Sequence, residues 1–131
     1  MFTALYASIL AGLICKLSLN VIKARRSNKV LYADGDCKEL IIARTAQSNA
    51  VQYCPMAVLL LLLLELNSGH YLLVNAIGIL FVIGRVIHAR GILSESRKGR
   101  VLGMQITIYS FFALIISNIS YLLYIKLVLK Q

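Results

Sequence analysis

The sequence predicts an all-α fold: an integral membrane bundle of four helices, with almost no soluble part. Three observations predict it. Of 131 residues, 60% are hydrophobic and only 15% charged, against roughly a quarter charged in ordinary soluble domains. A chain of this length makes one domain, residues 1–131, and a soluble core that small could not hide so much apolar surface. The apolar residues also fall into four long blocks parted by short polar stretches, with a single proline in the whole chain.

The first segment, 2–22, is apolar apart from Lys16 and Asn20. About 21 residues at about 1.5 Å each cross the ~30 Å hydrocarbon core. It has no small-residue cleavage pattern, so a retained helix is expected rather than a signal peptide. A polar linker, 23–38, comes next, with a turn signal at Ala33-Asp34-Gly35-Asp36. The second segment, 39–66, ends at the turn Asn67-Ser68-Gly69. The third, 71–90, leads into a polar loop, Ser94-Glu95-Ser96-Arg97-Lys98-Gly99-Arg100, and the fourth covers 101–127.

The net charge of +9 raises the question of nucleic acid. The basic residues sit between apolar segments, without a solvated face or aromatic stacking partners, so no nucleic-acid partner is expected. They mark membrane ends. Lys23, Arg25, Arg26, Lys29 and Lys38 lie in the first connection, and Arg90, Arg97, Lys98 and Arg100 around the third. The second connection has only His70, and the C-terminus Lys126 and Lys130. The positive-inside rule puts the first and third connections in the cytoplasm and both termini outside it. Cys15, Cys37 and Cys54 show no metal-ligand spacing and read as free thiols; no metal site is expected.

The second segment is the most informative. Its length, about 42 Å as a helix, exceeds the bilayer core. Residues 56–64 suit lipid, but 44–53 are too polar for it and must face protein, water or a ligand. At about 100° per residue, Thr45, Asn49, Gln52 and Tyr53 share one face, and Arg44 and Gln47 lie roughly opposite. A helix polar on two sides needs two polar neighbours, a condition met between two subunits of an oligomer. Pro55 frees the carbonyl of Val51 and kinks the helix, either for packing or to line a cavity.

In the third segment Arg85 and His88 share a helix face. Two readings stand for each. Arg85 snorkels to the headgroups or, being deep, serves a site; His88 is a hydrogen-bonded structural residue or part of that site. Glu65 reads as solvated, Lys16 as snorkelling, and Tyr109, Tyr121 and Tyr124 as interface aromatics.

Ala24-Arg25-Arg26, the run Gln47-Ser48-Asn49-Ala50-Val51-Gln52-Tyr53-Cys54-Pro55 and Gly84-Arg85-Val86-Ile87-His88, set in four apolar segments, resemble the MAPEG superfamily. That name covers membrane-associated proteins in eicosanoid and glutathione metabolism, and the resemblance is to its small bacterial members over nearly the whole chain. It implies a homotrimer in the bacterial inner membrane, with glutathione as co-substrate in clefts between subunits. It further implies that Asn49, Gln52 and Tyr53 bind glutathione from one subunit, and Arg25 and Gln47 from its neighbour. Arg85 would support the site, and His88 stands where some members place a tyrosine. The catalytic residue it implies is Arg100, with Arg97 second, as the cation that stabilises the glutathione thiolate.

The sequence departs from the family pattern at three points. Gln52 replaces a glutamate, Thr45 an arginine, and Ile92 a tyrosine. The leading expectation is a glutathione-dependent transferase or peroxidase acting on hydrophobic small molecules in the membrane. The alternative is a lipid- or glutathione-binding protein of the same fold without chemistry, favoured by Gln52 and Thr45. A transporter would need a line of charge across the bilayer, and the charges gather at one end instead.

Overall fold

The computed structural model describes residues 1–128; Lys130, one of the C-terminal charges, lies outside them. Four helices succeed one another: α1 (Thr3–Asn28), α2 (Lys38–Leu66), α3 (Tyr71–Leu93) and α4 (Arg97–Val128). All four are long and apolar enough to cross a membrane. Short connections make sequential helices antiparallel neighbours. The packing is closest between α3 and α4, then between α1 and α2, with α2 also touching α3 and α4. Among the described residues α1 and α4 do not pack together.

Side-chain size explains this layout. The buried stripe of α2 opens with Leu40, runs through the small residues Ala43, Ala46, Ala50, Cys54 and Ala57, and closes with Leu61 and Leu64. Small residues let backbones approach where lipid offers no hydrophobic drive between helices. Between α3 and α4 the same role falls to glycine: a Cβ on Gly103 would run into the backbone of His88, and one on Gly91 into that of Arg100. The large side chains of α4, including Phe112, Ile116 and Leu123, are exposed, as befits a helix whose outer face meets lipid or another chain.

The helix ends differ from those expected. α1 continues to Asn28 rather than stopping at 22, because Lys23, Arg25 and Arg26 are good helix formers and cations suit a helix C-terminus. It ends in a Schellman turn: Lys29 is left-handed (φ 53°), its N–H reaches the carbonyl of Arg26, and that of Val30 the carbonyl of Arg25. Similarly, α3 runs on to Leu93, and α4 begins at Arg97 rather than 101. The hydroxyl of Ser96 accepts from the N–H of Gly99 at 3.3 Å, an N-cap that draws residues 97–100, expected in the loop, into the helix.

One further reading is corrected. Glu65 is not a solvated residue: its carboxylate accepts from the N–H of Phe2 (2.6 Å) and of Thr3 (2.9 Å). It thereby satisfies donors that the first turn of α1 leaves without helical partners. α2 is continuous through Pro55, and both Pro55 and Val51 are exposed, on the side away from the buried stripe.

The first and third connections meet at the same end of the bundle, where Lys38 Nζ and Glu95 Oε2 are 2.8 Å apart. This end gathers the basic residues of both.

Candidate functional site

The site forms where α2, α3 and α4 converge toward the basic end. Arg85 sits eight residues before the end of α3, about 12 Å inside it by helical rise. It is fully buried, 0% exposed, so the snorkelling reading is overturned. Gly84 and Gly103 allow α4 to press against α3, which leaves the guanidinium no route outward and turns it toward α2.

Arg85 Nη2 donates to Asn49 Oδ1 at 2.5 Å, and Nη1 to Thr107 Oγ1 at 3.4 Å. Its Nε has no partner among the described residues. The guanidinium carbon lies 5.2 Å from the centre of the Tyr53 ring, within the range of cation–π attraction. Among the described residues no carboxylate pairs with it. The Tyr53 ring is held in turn by an edge contact to Phe111, with centroids 6.0 Å apart.

This arrangement fixes the orientation of Asn49. A guanidinium can only donate, so the oxygen of the amide must face Arg85 and the NH2 must face away. Asn49 is only half-buried, and its amide is thus presented as a donor. Gln52, on the same flank of α2, is exposed. Asn49, Tyr53 and Arg85 therefore come together within one chain.

A second group forms one turn nearer the basic end. His88 Nδ1 lies 2.8 Å from the carbonyl oxygen of Arg100. A carbonyl accepts, so Nδ1 carries the proton and Nε2 of the neutral ring is an acceptor. His88 is almost wholly buried, yet it contributes to the wall of an open cleft of about 760 Å³ with Arg97, Arg100, Met104, Ile108 and Tyr109. The cleft is charged toward the start of α4 and apolar farther along it. Arg97 and Arg100 line it together, one helical turn apart.

Arg25 and Gln47 stand apart from both groups. Arg25 Nη1 reaches the carbonyl of Leu31 at 3.5 Å, and Gln47 is half-buried on the opposite flank of α2. Near it Arg44 pairs with Asp34 at 3.8 Å. The hydroxyl of Thr45 is turned back onto the carbonyl of Ile41 at 2.7 Å. Ile92, where the resemblance would place a tyrosine, is buried in the core.

The sequence reading missed Thr107 and Phe111. Thr107 accepts from Arg85 and donates to the carbonyl of Gly103 at 2.8 Å. The signal was present, since Thr107 is one of few polar residues within an apolar run and lies four residues after a glycine, on the same helix face.

Comparison with known proteins agrees with the family resemblance. The model of the MAPEG family matches residues 3–120. The inner membrane protein YecN of Escherichia coli strain K12 is 34% identical over 122 residues, which cover 93% of this chain and 93% of that protein. The protein of the same name from Escherichia coli O6:H1 strain CFT073 matches with the same identity and coverage.

Proposed function

The chain belongs to the MAPEG family, and on that footing we propose that it is a glutathione-dependent transferase or peroxidase acting on hydrophobic electrophiles within the membrane. The observation that carries the proposal is the fixed orientation of Asn49. A buried cation holds its oxygen, so the NH2 group stands ready for a carboxylate or carbonyl of a peptide-like ligand, beside Tyr53 and the exposed Gln52. Glutathione offers such groups. Arg25 and Gln47, on the other flank, would reach the ligand held by a neighbouring copy in a homotrimer. The expected setting is a bacterial inner membrane, with both termini outside the cytoplasm.

The chemistry is thiolate activation. A cysteinyl thiol has a pKa near 8.5, so only a few per cent is ionised at pH 7. A cation beside the sulfur favours the thiolate. In transfer, the thiolate attacks an electrophilic carbon; a C–S bond forms, the leaving group departs with its electron pair, and the thiol proton goes to water. In peroxidase chemistry two glutathione molecules reduce a hydroperoxide to alcohol and water and leave as the disulfide. Arg100 is assigned the cation role, with Arg97 the competing candidate in the same cleft. The neutral His88 ring, tied to the Arg100 carbonyl, positions the start of α4.

Glutathione binding and conjugation of a generic electrophile by the purified protein test the proposal. Arg100→Ala should raise the pH midpoint of turnover and lower the rate at pH 7 while glutathione still binds. Arg97→Ala should change little. Turnover that depended on Arg97 instead would move the role by one helical turn, and turnover indifferent to both would exclude it. A specific observation favours the second reading, a binding protein without chemistry. Gln52 supplies no charge, and Thr45 spends its hydroxyl on its own helix. Glutathione or lipid binding with no turnover for any electrophile or hydroperoxide would establish that reading instead.

A further inference from the structure

Residues Thr3 to Ile22 of α1 measure about 30 Å, the thickness of the hydrocarbon core. The residues beyond Ile22 therefore stand in the headgroup layer. There the Schellman turn at Lys29 folds the chain back, and Val30 packs on Ala24 and Leu40. The reversal leaves Leu31 and Tyr32 turned outward, 81% and 86% exposed, beside Arg26 and Lys29. Ile22, Val30 and Leu31 join the basic residues in bordering a groove of about 590 Å³.

We propose that Arg26 and Lys29, with Ile22, Val30 and Leu31, form a binding site for one anionic phospholipid, with Tyr32 next along the chain beside it. The groove sets apolar side chains, Ile22, Val30 and Leu31, beside cationic ones, Arg26 and Lys29, which matches an acyl chain joined to a phosphate. Arg25, assigned above to the ligand of a neighbouring copy, borders the groove with its Nη1 3.5 Å from the Leu31 carbonyl, and the exposed Arg26 and Lys29 are the cations left to meet the phosphate. Of the nearby carboxylates, Asp34 pairs with Arg44 and Glu39 accepts from Asn28. Asp36 is exposed in the same linker but is outnumbered by Arg25, Arg26 and Lys29, so the excess of cations at the groove selects a lipid with net negative charge. Tyr32 suits the boundary itself, its ring apolar and its hydroxyl wet. The site needs only a bilayer around the protein and does not depend on glutathione.

The chain has no tryptophan, so Tyr32→Trp introduces a single tryptophan at the site, whose emission can be excited apart from that of the tyrosines. This full-length variant is reconstituted in phosphatidylcholine vesicles containing either brominated phosphatidylglycerol or brominated phosphatidylcholine. The expected result is quenching that reports at least about a fivefold preference for the anionic lipid. Adding Arg26→Gln/Lys29→Gln should remove the preference. Adding Arg90→Gln/Lys98→Gln, which takes the same charge from exposed positions at the same end, should leave it intact. Soluble glycerophosphoglycerol should not relieve the quenching. The proposal is overturned if the parent shows no preference, if both double variants lose it equally, or if the soluble headgroup competes.

Discussion

Replacing Asn49 by leucine would strand the cation at the centre of the bundle. Arg85 makes one short hydrogen bond, 2.5 Å to Asn49; the bond to Thr107 is long at 3.4 Å, and Nε already lacks a partner among the described residues. A hydrogen bond to a charged group contributes about 1.5–3 kcal/mol, and a buried donor left without a partner costs more than the bond alone. Asn49→Leu should therefore destabilise the protein by about 3 kcal/mol. Arg85→Met removes the charge itself and leaves only a half-buried amide, which water can reach, so it should cost about 1–2 kcal/mol. With both replaced, neither group is orphaned, and the loss should fall short of the sum by about 2 kcal/mol. Reversible unfolding in detergent, monitored by circular dichroism, measures all three. Additivity within about 0.5 kcal/mol would refute the coupling and, with it, the claim that Arg85 sets the orientation of Asn49. The same Arg85→Met variant should bind glutathione more weakly, because the amide is then free to rotate.

Gly103→Ala puts a methyl group into the backbone of His88 and should cost about 1–3 kcal/mol by overpacking; a fully stable variant would contradict the close approach of α3 and α4. Glu65→Ala removes the acceptor for two N–H groups at the start of α1 and should cost about 1 kcal/mol, as loss of a helix cap does. Its direct readout is faster amide exchange at Thr3, and unchanged exchange would show that the contact is idle. Gln52→Glu should tighten glutathione binding by calorimetry, since a carboxylate on that exposed flank of α2 can pair with the ligand's amino group; weaker or equal binding would argue that Gln52 does not touch it.

What was legible in the sequence was whatever helical periodicity decides. Asn49, Gln52 and Tyr53 were assigned to one flank of α2 and Gln47 to the other, because 3.6 residues per turn leaves no freedom once the helix forms. The four spans were legible for the same reason, as length and hydropathy alone specify them. The ends were not. The bilayer limits how many residues must be apolar, yet a helix continues as far as its polar residues and caps allow, and Ser96 and Lys29 decide that locally. Long-range pairs were invisible. Glu65 meets α1 from 62 or more residues away, and Thr107 meets Arg85 from 22, distances over which no spacing rule operates. Arg85 itself stood between two readings until Gly84 and Gly103 closed one of them.

The placement of Arg85 also bears on how the chain is made. A lone arginine carried about 12 Å into a newly inserted helix is expensive, roughly 2.5–3.5 kcal/mol near the middle of a span. Synthesis runs from the N-terminus, so α2, bearing Asn49 and Tyr53, leaves the ribosome before α3 does. The acceptor and the aromatic face are in place when the cation enters the bilayer, and only the weakest contact, Thr107, comes afterward with α4. The third helix need never sit unaccompanied in lipid. Its charge is received by the hairpin already assembled, and the order in which the message is translated matches the order in which the cluster can be built.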